Sequence, residues 1–146
     1  MGSYFPKNGD ILFGPFASDF SPHNAVILNV IDKKVYLFPI SSQEQTMNYY
    51  KSTDGAAVVE LSDEDKRAIF RDKAKPISFI YCGKRNIISR TVAEIQMLVA
   101  SGKAYVQRAN ASEALIESIV WGVYYSRTND EETIKSILGE PKSKLS

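Results

Sequence analysis

The stretch Ala25-Val26-Ile27-Leu28-Asn29-Val30-Ile31-Asp32-Lys33-Lys34-Val35-Tyr36-Leu37-Phe38-Pro39-Ile40 decides the fold. Two apolar runs rich in β-branched and aromatic residues flank a short polar turn. Each run has the length of a strand, and so short a connection joins its flanking strands antiparallel. Residues 25–31 and 35–40 therefore read as a hairpin. The almost unbroken apolar content of the first run marks a buried strand.

Working outward, Gly9-Asp10 is a turn signal before the apolar segment Ile11 to Phe16, a first strand that Pro15 marks as edge or bulged near its end. Residues 17–24 are small, polar and turn-forming, a loop. On the other side, residues 41–55 are polar and are assigned no element. Ala56 to Leu61 reads as a short strand. Ser62 then caps a helix whose first turn holds Asp63, Glu64 and Asp65, where negative charge suits the helix dipole. That helix is expected to reach about Lys73 and to stop before Pro76. Ile77 to Tyr81 is a strand, Gly83-Lys84-Arg85 a turn, and Asn86 to Ser89 a further strand. Thr91 and Glu94 have capping-box spacing ahead of an apolar face of Val92, Ile95, Leu98 and Val99, closed by Gly102. Lys103 to Gln107 is a last strand. Asn110 is expected to cap a helix from Ala111 to about Tyr125, with Leu115, Ile116, Ile119, Val120 and Val123 as its apolar stripe. A short helix from Asp130 to Leu138 ends at Gly139. The expectation is one α+β domain over residues 1–146, with a core over about 8–126 and a short helix and polar tail over 127–146.

Composition excludes several classes. A chain of 146 residues is the size of one domain and can bury a core without disulfides. One Cys rules out a disulfide framework, and one His rules out any metal site needing two imidazoles; no metal or cofactor is expected. No run approaches the roughly 20 apolar residues of a membrane span, and no signal-peptide pattern opens the chain, so the expected setting is the cytoplasm. No Walker A loop, dinucleotide glycine motif or Gly-x-Ser-x-Gly elbow is present. Cys82, in an apolar strand context, reads as a small buried hydrophobe rather than a nucleophile.

The net charge of +1 hides an asymmetry. Residues 1–60 carry a net −2, whereas residues 66–90 hold eight basic side chains against the single acid Asp72, a local +7. Such a segment suits a polyanion, or else is a solvated face. Among the aromatics, Phe16, Phe20, Tyr49 and Tyr50 flank polar loops and are the candidates to stack on bases.

His23 carries the candidate chemistry. Histidine as a residue type can serve as acid or base near neutral pH. In the hairpin, the polar turn lies at one end. The start of the first strand and the end of the second meet at the other, which makes His23-Asn24 and Ser41-Ser42 neighbours.

Read in order, these segments resemble the MazF/PemK toxin family, SH3-like barrel endoribonucleases. Gly9-Asp10-Ile11-Leu12 is similar to the family's opening Gly-Asp-(Ile/Val)-(Val/Leu). His23-Asn24-Ala25-Val26-Ile27-Leu28 stands where the family has Arg-Pro-Ala-Val-Val-Leu, and Pro39-Ile40-Ser41-Ser42 is similar to its Pro-Ile-Thr-Ser. Residues 78–88 resemble its Ser-x-(Ile/Val)-x-Cys-(Asp/Glu)-x-(Ile/Val)-Arg-Thr-Ile segment, and the apolar helix around Leu115 to Val123 its C-terminal helix. The departures are chemical. The family's catalytic Arg falls at His23, its Thr at Ser41, and its Arg-Thr pair at Asn86-Ile87, with Lys84 and Arg85 one or two places earlier. The related ToxN/AbiQ group shares the barrel and a similar Pro-Leu-Thr-Ser element.

The resemblance implies a small SH3-like antiparallel β-barrel with peripheral and C-terminal helices. It implies a metal-independent endoribonuclease toxin that cleaves single-stranded RNA by 2′-hydroxyl attack, works as a homodimer, and is held by an antitoxin protein or RNA. The residues expected to act are His23, Ser41 and Ser42, with Phe16, Phe20, Asn24, Lys84 and Arg85 on the RNA. The alternative is a non-catalytic RNA- or protein-binding module on the same barrel, motivated by the loss of the family's Arg.

Overall fold

The structure is a computed structural model that describes residues 3–16, 22–70 and 76–139. The hairpin is its centre. Strand β2 (His23–Ile31) pairs antiparallel with β3 (Lys34–Ser41), and β1 (Ile11–Gly14) lies on the far side of β2. The free edge of β3 is shared. Its first half pairs with β6 (Ile88–Thr91) and its end with β5 (Phe79–Tyr81), which in turn pairs with β4 (Val58–Glu60). The two-residue β7 (Tyr105–Val106) borders β1. Among the described residues this is a seven-stranded antiparallel sheet in the order β4-β5-β3-β2-β1-β7, with β6 beside β3. The α+β class and the antiparallel sheet are as expected, but among the described residues no ladder joins β4 to β7, so the sheet does not close into the expected SH3-like barrel.

Both faces of this sheet are buried, which is why β2 is apolar almost throughout. Ile11, Val26, Leu28, Tyr36, Phe38 and Ile40 face one core; Leu12, Ala25, Ile27, Val35 and Leu37 alternate with them and face another. The first core is covered by α4 (Glu113–Tyr125), α5 (Glu131–Leu138), α1 (Glu44–Asp54) and α2 (Asp63–Phe70). The second is covered by α3 (Val92–Ala100) and Ala104. No helix among the described residues is long and apolar enough to cross a membrane.

Local chemistry sets the joints. Gly9, at φ 93°, makes the turn into β1, and its N–H donates to Ile27 O at 2.8 Å. Between the pairs Ile27–Leu37 and Val30–Val35, β2 carries one residue more than β3, a bulge with Asn29 at φ 74°. The β2–β3 turn places Asp32 at φ 50° and Lys33 at φ 66°, a type I′ geometry built without glycine. The capping box at Thr91 and Glu94 forms as expected, and Gly102 at φ 80° follows the helix.

Four expectations are corrected. Residues 44–54 form α1, whose apolar signal is short because it fully buries only Met47 and Asp54. Helix α4 starts after Ser112, whose hydroxyl accepts from Leu115 N, and not after Asn110. Residues 84–86 form a single 3-10 turn, so the next strand begins at Ile88. Strand β1 stops at Gly14, before Pro15, and lies between β2 and β7 rather than at an edge.

Candidate functional site

At the end of the hairpin opposite its turn, His23 opens β2 and Ser41 closes β3. Ala25 pairs with Pro39, and the same register two residues further sets His23 across from Ser41. Both line a cavity of about 500 Å³ with Arg85, Asn86, Ser89 and Arg90. Both also line a smaller cavity of about 170 Å³ with Phe13, Asn24, Ser42 and Phe70. The two cavities meet at His23 and Ser41.

The larger lobe has a basic wall. Arg90 stands on β6, and its guanidinium donates to Phe16 O at 2.5 Å and to Ser89 O at 2.8 Å. These carbonyls hold the planar fork in place and leave further N–H donors over. Arg85 is exposed on the 3-10 turn Lys84–Asn86, which Asn86 braces by donating its side-chain amide to Tyr81 O at 3.1 Å. No Asp or Glu lines either cavity among the described residues, and neither arginine pairs with a carboxylate within 4.0 Å. The charge of Arg90 reaches Glu94, whose carboxyl is held below the usual range first by the Thr91 backbone and hydroxyl and less by Arg90.

Ser41 Oγ accepts from Gln43 N at 3.3 Å, which leaves its hydroxyl proton for another acceptor. Asn24 Oδ1 accepts from Gln107 Nε2 at 2.6 Å, which fixes the amide with its NH₂ outward from that bond.

The remaining expected residues divide. Ser42 joins Asn24 in the smaller lobe. Phe16 reaches the larger lobe, yet it is 1% exposed and packs with the core on the α3 side, so its ring is not a stacking platform. Phe20 lies outside the described residues, as do Arg71, Lys73 and Lys75. Lys84 does not line the cavity. Its backbone N–H donates to Thr128 Oγ1, and its charge reaches Asp130 on the α5 side. Tyr50 stacks on Tyr81 with ring centroids 3.6 Å apart, leaving Tyr49 exposed on α1. Arg90, Asn86, Phe13 and Phe70 were missed. Arg90 did lie within the basic run, but only the β3–β6 pairing brings it here.

Outside the two cavities lies a buried polar knot. Asp54, at the end of α1, accepts from Tyr81 OH at 2.8 Å, Ser126 Oγ at 2.5 Å and Arg127 N at 2.8 Å. Burial would raise its carboxyl, but the Arg127 N–H and the two hydroxyls outweigh it and hold the group below the usual range. Cys82, next in sequence to Tyr81, is fully buried, and burial pushes its thiol far up, which makes it inert as a nucleophile.

No family model matches the chain, and no curated protein does. Its fold is similar to a chain of a solved complex described as an endoribonuclease with its cognate antitoxin from a mycobacterial species. The match has a TM-score of 0.50 at 10% identity and covers 93% of this chain and 97% of that one. At that identity the likeness is one of fold.

Proposed function

We propose that the protein is an endoribonuclease of a toxin–antitoxin pair, acting on single-stranded RNA in the cytoplasm. The observation that carries the reading is the larger cavity: His23, Ser41, Arg85 and Arg90 on one concave wall that holds no carboxylate among the described residues. A basic hollow with a hydroxyl and an imidazole is complementary to a phosphodiester. The fold neighbour supports the class, since that chain comes from an endoribonuclease–antitoxin complex. An antitoxin protein covering the groove, and a homodimer, belong to the same reading.

In this mechanism the ribose 2′-oxygen attacks the adjacent phosphorus and the bond to the 5′-oxygen breaks. The products are a 2′,3′-cyclic phosphate and a 5′-hydroxyl. His23 serves one of the two proton transfers and water in the open cavity serves the other. Ser41 donates to a non-bridging oxygen, and Arg90 and Arg85 stabilise the charge that grows on the phosphoryl group. His23 therefore does different work from a permanently charged Arg at the same place: it can give up its proton.

The test is cleavage of a single-stranded RNA by His23→Ala. Loss of activity by about 10²–10⁴-fold, the usual share of a general acid or base, with an unchanged circular dichroism spectrum is expected. Full activity in that variant removes His23 from the mechanism, and binding without cleavage by the parent protein establishes a non-catalytic module.

A further inference from the structure

The smaller lobe is built differently from the larger one. Phe13 on β1 and Phe70 at the end of α2 line it, with Pro22 and Ile40. Its polar groups among the described residues are few: the Asn24 amide, the hydroxyls of Ser42 and Ser78, and the shared Ser41 and His23. No Asp, Glu, Lys or Arg among the described residues lines it. Its volume of about 170 Å³ lies below the roughly 300–1,000 Å³ of pockets that take whole drug-sized ligands. It suits one planar ring, not a nucleotide with its phosphate. Phe13 is itself backed by Tyr105, with ring centroids 5.3 Å apart, so the wall is part of a larger aromatic surface.

From this shape we infer that the smaller lobe is a nucleobase pocket, which rests on the RNA reading of the larger lobe. A base held between Phe13 and Phe70 gains face contact, and the fixed Asn24 amide presents a hydrogen-bond donor to its edge. Among the described residues the two lobes share His23 and Ser41. A base seated in one lobe therefore sets the adjoining phosphodiester at the junction, with Arg85 and Arg90 beyond it. The pocket decides which phosphate of the strand is presented, and so acts on specificity through position rather than through charge.

The test is an abasic scan. A single-stranded DNA heptamer lacks the 2′-hydroxyl, so its binding is read without turnover. Removing one base at a time should weaken binding about tenfold at a single position, the worth of one stacked base, and less than twofold elsewhere. Phe70→Ala should level that profile while leaving the slope of affinity against salt unchanged. Arg90→Met should keep the profile and lower the salt slope by about one. A level profile in the parent protein, with tight binding of the intact heptamer, overturns the pocket and leaves the RNA reading standing. A heptamer that does not bind at all overturns both.

Discussion

Gly122 sits in the middle of α4, where helix propensity and packing give opposite answers. An interior glycine costs a helix about 1 kcal/mol relative to alanine, so propensity alone has Gly122→Ala stabilise the protein by that amount. The structure reverses the sign. A Cβ at 122 would stand 2.7 Å from Cys82 Sγ, 3.0 Å from Cys82 Cβ and 3.5 Å from Val59 Cγ2. Cys82 cannot yield easily, since it is fully buried and its N–H is bound to Ala57 O at 2.8 Å. Overpacking of this kind costs about 1–3 kcal/mol, and with the thiol so near we take the upper end. Set against the propensity gain, Gly122→Ala should destabilise the protein by about 2 kcal/mol. Cys82→Ala alone should cost about 1 kcal/mol as a small cavity. Together the two should be milder than their sum by about 1–2 kcal/mol, because the new methyl fills the space the sulfur leaves. Urea unfolding of the four proteins at constant slope measures this cycle. A Gly122→Ala protein more stable than its parent, or additive single effects, refutes the packing argument. The contact matters to the site because Cys82 leads directly into the turn that carries Arg85.

Three further outcomes follow from other joints. The Asp54 carboxyl is lowered on folding, so the stability it contributes is full above its unfolded pKa near ~3.9 and is lost as pH falls through its folded value. Asp54→Asn should cost about 1–2 kcal/mol at neutral pH, and acid titration of stability should show the gap between the two proteins closing below the unfolded value. Lys33 holds φ 66° where a type I′ turn favours glycine, so Lys33→Gly should raise stability by about 1 kcal/mol, read as a higher urea midpoint. Arg90→Met should lower RNA cleavage by about 10²-fold in kcat/KM, and Arg85→Met, on an exposed turn, by no more than about tenfold; equal effects would contradict the roles given to the two arginines.

How much of this was legible depends on the range of the interactions. The hairpin could be read because β2 and β3 are buried on both faces, so Val26, Ile27 and Leu28 are apolar in succession. The meeting of His23 with Ser41 followed from that pairing alone, since antiparallel register fixes which ends adjoin. Capping at Thr91 was legible because the bonds span three residues. Helix α1 was not, because its inward positions are Met47, Tyr50 and Asp54, one helical face whose third member is a carboxylate, so the apolar signal is too short to read. The start of α4 was misplaced because Asn110 and Ser112 are both good caps, and only packing chooses Ser112. Arg90 was counted within a basic run but not placed. Its partner Phe16 O is 74 residues away, and the β3–β6 ladder that brings them together leaves no local mark. Phe70 escaped for the same reason: α2 reaches the cavity only through the way β4 and β5 set it against the sheet.

The central claim is that side chains at the junction of the two lobes cleave RNA. It is tested most directly by incubating the protein with a single-stranded RNA in EDTA and mapping the ends of the products. The account predicts fragments bearing 5′-hydroxyl and 2′,3′-cyclic phosphate ends, formed at an undiminished rate with the chelator present. Fragments with 5′-phosphate ends, or RNA left whole, would contradict it.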